Sequence, residues 1–325
     1  MSLKRIVIKI GTNVLQQTNG KLDYKLISEL TSQITRIRSN GHEVLLVSSG
    51  SVGAGRELFS VDESGNTLAS HQILASVGQA KLIQIYSDSF RKHKTTVAQI
   101  LLTRGDFGLR KSYLNIRNTL ENLLKYRIVP IVNENDVVAT EELDLNFGDN
   151  DLLAVYLATL IGADQLFFLT VAPGLLKKVE TAQGKQSKVV AKVEKLTEEI
   201  VQHCLPFTSA GGKGGMESKV RSAGMAMSFG IDTYIIDGKF PAGVFEIMEG
   251  RPLGTHFVAH GRKIRSYQKW LAAGALNKGT LIIDQGAEQA LLKNKKSLLA
   301  RGVARVEGQF EDKDLVEIHN LEGVK

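Results

Sequence analysis

The stretch IVPIVNENDVVATEELDLNFGDNDLLA, residues 128–154, decides the fold. Its first five residues form an apolar run that is typical of a buried parallel strand. Two polar clusters follow, Asn133-Glu-Asn-Asp136 and Gly148-Asp-Asn-Asp151, and the second opens an apolar helical stretch at residues 152–161. In an open α/β sheet, polar groups just past the carboxyl end of a strand lie in the crevice where ligands bind. Asn and Asp usually cap helices and form turns, but two clusters around one loop favour recognition of a small polar, charged substrate.

Apolar runs and amphipathic helical patterns alternate on both sides of this stretch. Strands are predicted at residues 5–10, 43–47, 95–102, 128–132, 165–170 and 233–236, and helices at 26–37, 70–93, 115–125, 152–161 and 216–229. Residues 171–188 have no clear period and predict an irregular, basic loop. The alternation is typical of an α/β fold, a mostly parallel open sheet with helices on both faces.

The end of the chain has a different pattern. Short strands are predicted at residues 280–283, 304–307 and 315–318, and Gly-containing turns separate them. We therefore expect three parts: an α/β domain at residues 1–250, a basic linker at 251–275 and a small β-rich module at 276–325.

Composition is ordinary for a soluble globular protein, since 43% of the 325 residues are hydrophobic and 23% are charged. The apolar run after Lys4 and Arg5 is too short for a secretory signal. The longest apolar run, residues 152–163, falls short of the ~18 residues that a membrane helix needs. The single cysteine, Cys204, excludes an intramolecular disulfide and fits a reducing compartment. We expect a cytoplasmic protein without membrane partners.

The net charge of +7 is unevenly distributed, because five basic and no acidic residues lie between residues 251 and 275. Such a segment can meet nucleic acid or an anionic ligand. A solvated linker is the more common explanation, so we do not expect nucleic acid as a partner. His256 and His260 are four residues apart, but no Glu or third ligand lies nearby, and no metal site is predicted.

Two segments indicate phosphate binding. Lys9 lies late in the first predicted strand, directly before Ile10-Gly11, and glycine lets the backbone approach an anion while lysine adds a point charge. Residues 210–219, AGGKGGMESK, bring four glycines and two lysines together with the N-terminus of a predicted helix, which favours an anion. Either segment alone could be a surface loop. Together they favour a nucleotide-phosphate site, although not a Walker loop, since no Gly-Lys pair is followed by Ser or Thr.

The assembled motifs resemble those of the amino acid kinase family and cover most of residues 5–250 in the family's order. They are Lys9-Ile-Gly-Thr12, Ser48-Ser-Gly50, Ala54-Gly-Arg56, Val77-Gly-Gln79, Gln99-Ile-Leu-Leu-Thr103, Asn115-x-Arg117, Pro130-Ile-Val-Asn-Glu-Asn-Asp136, Phe147-Gly-Asp-Asn-Asp151 and Gly214-Gly-Met216 with Lys219. The C-terminal module resembles the start of a PUA domain, and by that resemblance further strands would be expected beyond Lys325.

The resemblance implies ATP- and Mg²⁺-dependent phosphorylation of the γ-carboxylate of L-glutamate to L-glutamyl 5-phosphate, the first step of proline biosynthesis. It also implies feedback inhibition by proline and a homo-oligomer, a dimer or a tetramer. The implied catalytic residues are Lys9, Asp151 and Lys219, and the implied glutamate-binding residues are Ser49, Asp136 and Asn150. The implied nucleotide-binding residues are Lys9, Gly11, Thr170, Val171, Lys213, Gly214, Gly215, Met216 and Lys219. Asp151 would orient the two lysines or assist Mg²⁺.

One departure from the family keeps alternatives open. The family usually has Thr-Asp where this chain has Thr170-Val171, so an acidic side chain near the nucleotide is missing. The same fold could act on another carboxylate or carbamate acceptor, or on UMP. The chain could also be a weakened homologue with a regulatory role.

Overall fold

The computed structural model describes residues 3–61, 67–138, 150–181, 184–202, 215–259, 277–310 and 315–323. The strands of its first part are β1 (Arg5–Ile10), β2 (Glu43–Ser48), β3 (Val97–Leu102), β4 (Val129–Glu134), β5 (Gln165–Thr170), β6 (Leu176–Thr181), β7 (Gly184–Val189), β8 (Lys192–Val193), β9 (Asp232–Asp237) and β10 (Thr255–Phe257). Eight of them form one sheet in the order β3-β4-β2-β1-β5-β9-β10-β8. The first six strands in that order are mutually parallel, and β10 is antiparallel to β9. The prediction of a mostly parallel sheet is confirmed.

The helices of the same part lie between these strands. They are α1 (Thr12–Leu15), α2 (Tyr24–Ser39), α3 (Ser51–Arg56), α4 (Thr67–Arg91), α5 (Arg104–Gly108), α6 (Arg110–Lys125), α7 (Asn150–Ile161), α8 (Glu198–Gln202), α9 (Met216–Ser228) and α10 (Gly243–Met248). Among the described helices, none is both long and apolar enough to cross a membrane.

Helices cover both faces of the sheet, as β1 illustrates. Val7 belongs to a buried apolar cluster that includes α6, α7 and α9, whereas Ile6, Ile8 and Ile10 belong to a second cluster with α2, α4 and α10. This division follows from the alternation of side chains along a strand. Lys9 shares the parity of Val7 and so points towards the side of α7 and α9.

The parallel register brings the carboxyl ends of the central strands to one edge. Lys9 of β1 lies beside Val47 of β2 and Phe168 of β5, and β2 in turn pairs with β4. The segments that leave these strands therefore meet at this edge, where a parallel sheet offers its crevice.

Two sequence-based expectations are not met. Residues 176–189 form the antiparallel hairpin β6–β7 instead of an irregular loop. Strand β10, at Thr255–Phe257, lies inside the stretch interpreted as a linker, so the sheet extends beyond residue 250. Residues 260–276, the rest of that stretch, lie outside the described residues.

The C-terminal module is a second, separate sheet. Strands β11 (Asn277–Ile283), β12 (Val303–Gly308) and β13 (Leu315–His319) form it in the order β12-β11-β13. The three predicted strands are confirmed, and helix α11 (Gln285–Leu292), which had not been predicted, follows β11. Asp284 caps this helix, since its side chain accepts from the Ala287 N–H at 2.7 Å.

Candidate active site

Two lysines and one aspartate from three different elements meet at the carboxyl edge of the sheet. The Lys9 ammonium lies 2.6 Å from Asp151 Oδ1, and the Lys219 ammonium lies 3.0 Å from Asp151 Oδ2. Asp151 has no exposed surface, and the two lysines are almost fully buried. The three residues expected to be catalytic are therefore in direct contact, with one more positive than negative charge.

The Asp151 carboxyl is ionised in this setting. Burial alone raises its pKa, but the charges and hydrogen bonds of Lys9 and Lys219 outweigh burial and hold the pKa below its ordinary value. Asp151 also lies in the first turn of α7, where the helix dipole favours a negative charge. The cluster therefore keeps a net positive charge, which suits an incoming anion.

Next to this cluster, a chain of hydrogen-bonded amides lies at the ends of β2 and β4. The Asn150 Nδ2 group donates to Ser49 Oγ at 2.8 Å and to Asn133 Oδ1 at 2.9 Å. Asn133 in turn donates to Gln79 Oε1 at 2.9 Å. The Asn150 Oδ1 atom is buried and has no hydrogen-bond partner in the described chain, so it is a free acceptor within this network.

Asp136, the third residue expected to bind the substrate, is held from the neighbouring helix. Ser51, at the start of α3, donates to Asp136 Oδ2 at 3.1 Å. The structure thus brings Ser49 and Asn150 into direct contact and holds Asp136 through Ser51, one residue beyond Gly50. Residues 139–149, which separate Asp136 from Asn150, lie outside the described residues.

Two glycines allow α4 to reach this network. A Cβ added at Gly78 would lie 1.8 Å from the Ser51 carbonyl oxygen and 2.3 Å from the Gly55 nitrogen. A Cβ at Gly55 would lie 2.0 Å from the Leu74 carbonyl oxygen. Because no side chain fits between them, α3 and α4 pack backbone to backbone. Gln79 follows Gly78 directly and so reaches Asn133.

Gln79, Ser51 and Asn133 are contacts that were not among the expected site residues. All three lie within or next to the motifs quoted above, so the sequence indicated the segments in which they occur. Their partners could not be predicted, because Gln79 and Asn133 are 54 positions apart and meet only through the packing of α4.

The residues expected at the nucleotide lie around the same edge, with differences in what they offer. The Gly11 N–H is directed to the Leu169 carbonyl at 3.4 Å, a long hydrogen bond, so it is not wholly free for a phosphate. Thr170 ends β5, and Val171 starts the following turn with about half of its surface exposed. Gly215 precedes α9 and Met216 starts it. Lys213 and Gly214 lie outside the described residues.

No group of three or more His, Cys, Asp or Glu side chains suited to a metal occurs in the part of the chain that the structure describes. Both carboxylate oxygens of Asp151 already contact an ammonium group. A Mg²⁺ ion at this edge would therefore have to be held mainly by the oxygens of a bound phosphate.

Comparison with known proteins agrees with this architecture. Residues 4–237 match the amino acid kinase family, and residues 279–324 match the PUA domain. The chain is 39% identical over 319 residues to the glutamate 5-kinase of Caldanaerobacter subterraneus subsp. tengcongensis, which covers 98% of this chain and 85% of that protein. It is 40% identical over 321 residues to the glutamate 5-kinase of Nostoc punctiforme, covering 98% and 87%.

Solved structures of other acceptor specificities share the fold. A carbamate kinase from Giardia lamblia bound to AMP-PNP has a TM-score of 0.56 at 17% identity, over 80% of this chain and 99% of that one. A UMP kinase from Bacillus anthracis has a TM-score of 0.54 at 15% identity, over 80% and 98%. At these identities the likeness concerns the fold alone. With the family match over residues 4–237 and about 40% identity to curated glutamate 5-kinases along nearly its whole length, the chain belongs to the amino acid kinase family, in its glutamate 5-kinase branch.

Proposed function

We propose that this protein transfers the γ-phosphoryl group of ATP to the γ-carboxylate of L-glutamate and forms L-glutamyl 5-phosphate, the first step of proline biosynthesis. The observation that carries the proposal is the buried contact of Asp151 with Lys9 and Lys219, directly beside an amide network with a free acceptor. One part of this edge suits a phosphoryl group, and the adjoining part suits an amino acid.

On the phosphoryl side, Lys9 and Lys219 would neutralise the charge of the transferring group. Phosphoryl transfer needs positioning and electrostatic stabilisation more than covalent catalysis. A carboxylate acceptor is already ionised near neutral pH, so no general base is required. Asp151 would hold the two ammonium groups at a fixed separation through its two oxygens, which keeps them ordered before the substrates bind.

On the acceptor side, Ser49, Asp136 and Asn150 would hold glutamate. An α-ammonium group needs hydrogen-bond acceptors, and the carboxylate of Asp136 and the free Asn150 Oδ1 atom provide them. Glutamate would then lie between the amides and the lysines, so that its γ-carboxylate faces the phosphoryl path. Gln79 and Asn133 are positioning residues in this arrangement, because they act through Asn150.

ATP would lie across the end of β5 and the start of α9. It would contact Gly11, Thr170, Val171, Gly215 and Met216, and Lys213 and Gly214 on the segment before α9. Mg²⁺ held by the ATP phosphates would supply neutralisation of their negative charge. Inhibition by proline and assembly into a dimer or tetramer are further expectations from the resemblance to the family, and a cytoplasmic location is the expectation from the single cysteine.

The proposal is tested by trapping the acyl phosphate with hydroxylamine. We expect hydroxamate formation and ADP release that need both L-glutamate and Mg²⁺, and a loss of roughly 100-fold or more in Lys9→Ala, the scale seen when one preorganised charge donor is removed. Lys25→Ala is the matched control, because the Lys25 side chain is 86% exposed on α2. Aspartate, N-acetylglutamate, carbamate and UMP serve as competing acceptors.

If one of these acceptors gives a higher turnover than glutamate, that acceptor is the substrate, and the assignment as a phosphotransferase still holds. Absence of turnover with every acceptor, together with weak ATP binding in calorimetry, would favour the regulatory homologue that Val171 suggests. Addition of proline to the same assay tests the feedback inhibition.

A further inference from the structure

A polar cavity lies at the edge of the sheet opposite the candidate active site, where β3 and β4 begin. Its volume is about 370 Å³, and ten residues line it, among them Arg38, Lys94, Thr95, Thr96, Tyr126 and Arg127. They come from the end of α2 and from the segments that join α4 to β3 and α6 to β4. Since each of these strands is six residues long, the cavity lies about 20 Å from Lys9 and Asp151, and an occupant would not touch the proposed phosphoryl path.

The charge of this cavity is uncompensated. Three of its lining residues, Arg38, Lys94 and Arg127, carry a positive charge, and none of the ten is an Asp or Glu. Within the described chain none of the three forms an ion pair. Burial, and then repulsion from Arg127, lower the pKa of Arg38. Its surroundings in the protein therefore disfavour the charged guanidinium.

A purely structural role accounts for only part of this arrangement. Arg38 donates to the Arg127 carbonyl and to Thr95 Oγ1, at 3.0 Å for the latter, and Arg127 Nη2 donates to the Arg38 carbonyl at 2.7 Å. These contacts satisfy carbonyls at helix ends, as basic residues there commonly do. The Lys94 ammonium and the other N–H groups of Arg127 have no partner in the described chain, so donors remain that face no acceptor of the protein.

The backbone supplies a second observation. Helices α4 and α6 end in the same type of turn, in which Thr95 N–H bonds to the Phe90 carbonyl and Ile128 N–H to the Leu123 carbonyl. The residue at the left-handed position of each turn is Lys94 or Arg127, with φ of 54° and 58°. Glycine is favoured at this position because a Cβ there is strained.

Elsewhere the same chain uses glycine at the position after a helix. The residues that follow α2, α7, α9 and α10 at positive φ are Gly41, Gly162, Gly230 and Gly250. Among the described residues only three that are not glycine have positive φ, and two of those three line this one cavity; the third is Lys295, in the C-terminal module. Strained positions of this kind are concentrated at functional sites.

We propose that this cavity, defined by Arg38, Lys94 and Arg127, binds a small multiply charged anion of the phosphate class. The guanidinium of Arg127 would meet two oxygens side by side, the Lys94 ammonium would add a point charge, and the hydroxyls of Thr96 and Tyr126 would complete the contacts. A volume of about 370 Å³ is large enough for such a molecule.

Pyrophosphate is the probe, and calorimetry on the full-length protein is the measurement. Saturating AMP-PNP, Mg²⁺ and L-glutamate occupy the proposed active site, so that only a second site is titrated. The wild-type protein should then bind about one pyrophosphate per chain. The affinity of the double variant Lys94→Gly/Arg127→Gln for pyrophosphate should be lower by a factor of roughly ten or more. This is the loss expected for a charge-assisted hydrogen bond.

Two controls separate binding from folding. Lys295→Gly places glycine at a position that also has positive φ but lies outside the cavity, and it should leave the affinity for pyrophosphate unchanged. Lys94→Gly alone should melt at or above the wild-type temperature, because it relieves a strained position, and yet bind pyrophosphate more weakly.

The proposal is overturned if the blocked protein binds no pyrophosphate, or if the double variant binds it as tightly as the wild type. It is also overturned if a short RNA or DNA duplex binds more tightly than pyrophosphate and displaces it, since the surface would then be a nucleic-acid site. Because the active site is blocked throughout, failure here leaves the proposed kinase activity untouched.

Discussion

The Lys9 ammonium lies 2.6 Å from a carboxylate oxygen of Asp151, and both side chains are shielded from solvent. The second oxygen of the same carboxylate contacts Lys219 at 3.0 Å. One buried negative charge therefore serves two buried positive charges, and this imbalance makes the three residues unequal in their effect on stability.

Asp151→Asn should destabilise the protein more than Lys219→Met does. It removes the carboxylate that both buried ammonium groups contact, and removal of one partner from a buried ion pair costs about 3–5 kcal/mol. Lys219→Met leaves the Lys9–Asp151 pair neutral and should cost clearly less. Urea unfolding of both variants measures the difference. A smaller loss in Asp151→Asn than in Lys219→Met would contradict the view that Asp151 neutralises the cluster.

The acid sensitivity of folding should change in the same variant. The lysines outweigh burial and hold the pKa of Asp151 below its ordinary value, so the folded state binds fewer protons there than the unfolded state. The carboxylate then contributes stability above a pH of about 4, and this contribution is lost as the pH falls through the lower pKa of the folded state. The difference in unfolding free energy between wild type and Asp151→Asn should shrink below about pH 4.

Unfolding curves at several pH values between about 3 and 6 test this sign. Asp88→Asn is the control, since Asp88 lies on the exposed side of α4, where it forms an ion pair with Arg91 and accepts a hydrogen bond from Gln84. A difference for Asp151→Asn that stays constant across this range would mean that the carboxyl titrates alike in the folded and unfolded protein.

Gln79→Met should raise the KM for glutamate roughly tenfold and change kcat little. Methionine keeps the length of the side chain but no longer accepts from Asn133 Nδ2, and an unsatisfied donor costs about 1–3 kcal/mol. Asn133 would then hold Asn150 less firmly, while Lys9 and Lys219 stay in place. Initial rates at varied glutamate measure the split, with Gln84→Met on the exposed side of α4 as the control. A loss confined to kcat would exclude a role in substrate positioning.

Most of the sheet could be predicted from the sequence pattern, whereas the lysine–aspartate cluster was implied by the resemblance to the amino acid kinase family. The strands at 5–10, 43–48 and 165–170 are apolar runs buried on both faces, which leave few alternatives. Lys9 lies near the carboxyl end of β1, where the rule for open sheets places a ligand, and Asp151 lies in the first turn of α7.

The remaining features depend on contacts that no local pattern encodes. The hairpin at 176–189 is rich in lysine and lacks clear alternation, and β8 and β10 are only two and three residues long. The basic cavity requires three helix ends to converge, and its Lys94 and Arg127 occupy positions where glycine is the expected residue.

Gly78→Ala should damage both folding and glutamate binding. The added methyl group would lie 1.8 Å from the Ser51 carbonyl oxygen and 2.3 Å from the Gly55 nitrogen, and neither is a flexible side chain that can move aside. Overpacking of this kind costs about 1–3 kcal/mol or more, and separation of α3 from α4 would displace Ser51 and Gln79 together.

Gly105→Ala is the matched control, because its nearest atom, Thr103 Oγ1, is 3.7 Å away and the position is helical. That variant should be neutral or stabilised by up to about 1 kcal/mol. Thermal melting and the KM for glutamate of the two variants decide the matter: if Gly78→Ala behaves like Gly105→Ala, the backbone contact between α3 and α4 does not position the amide network.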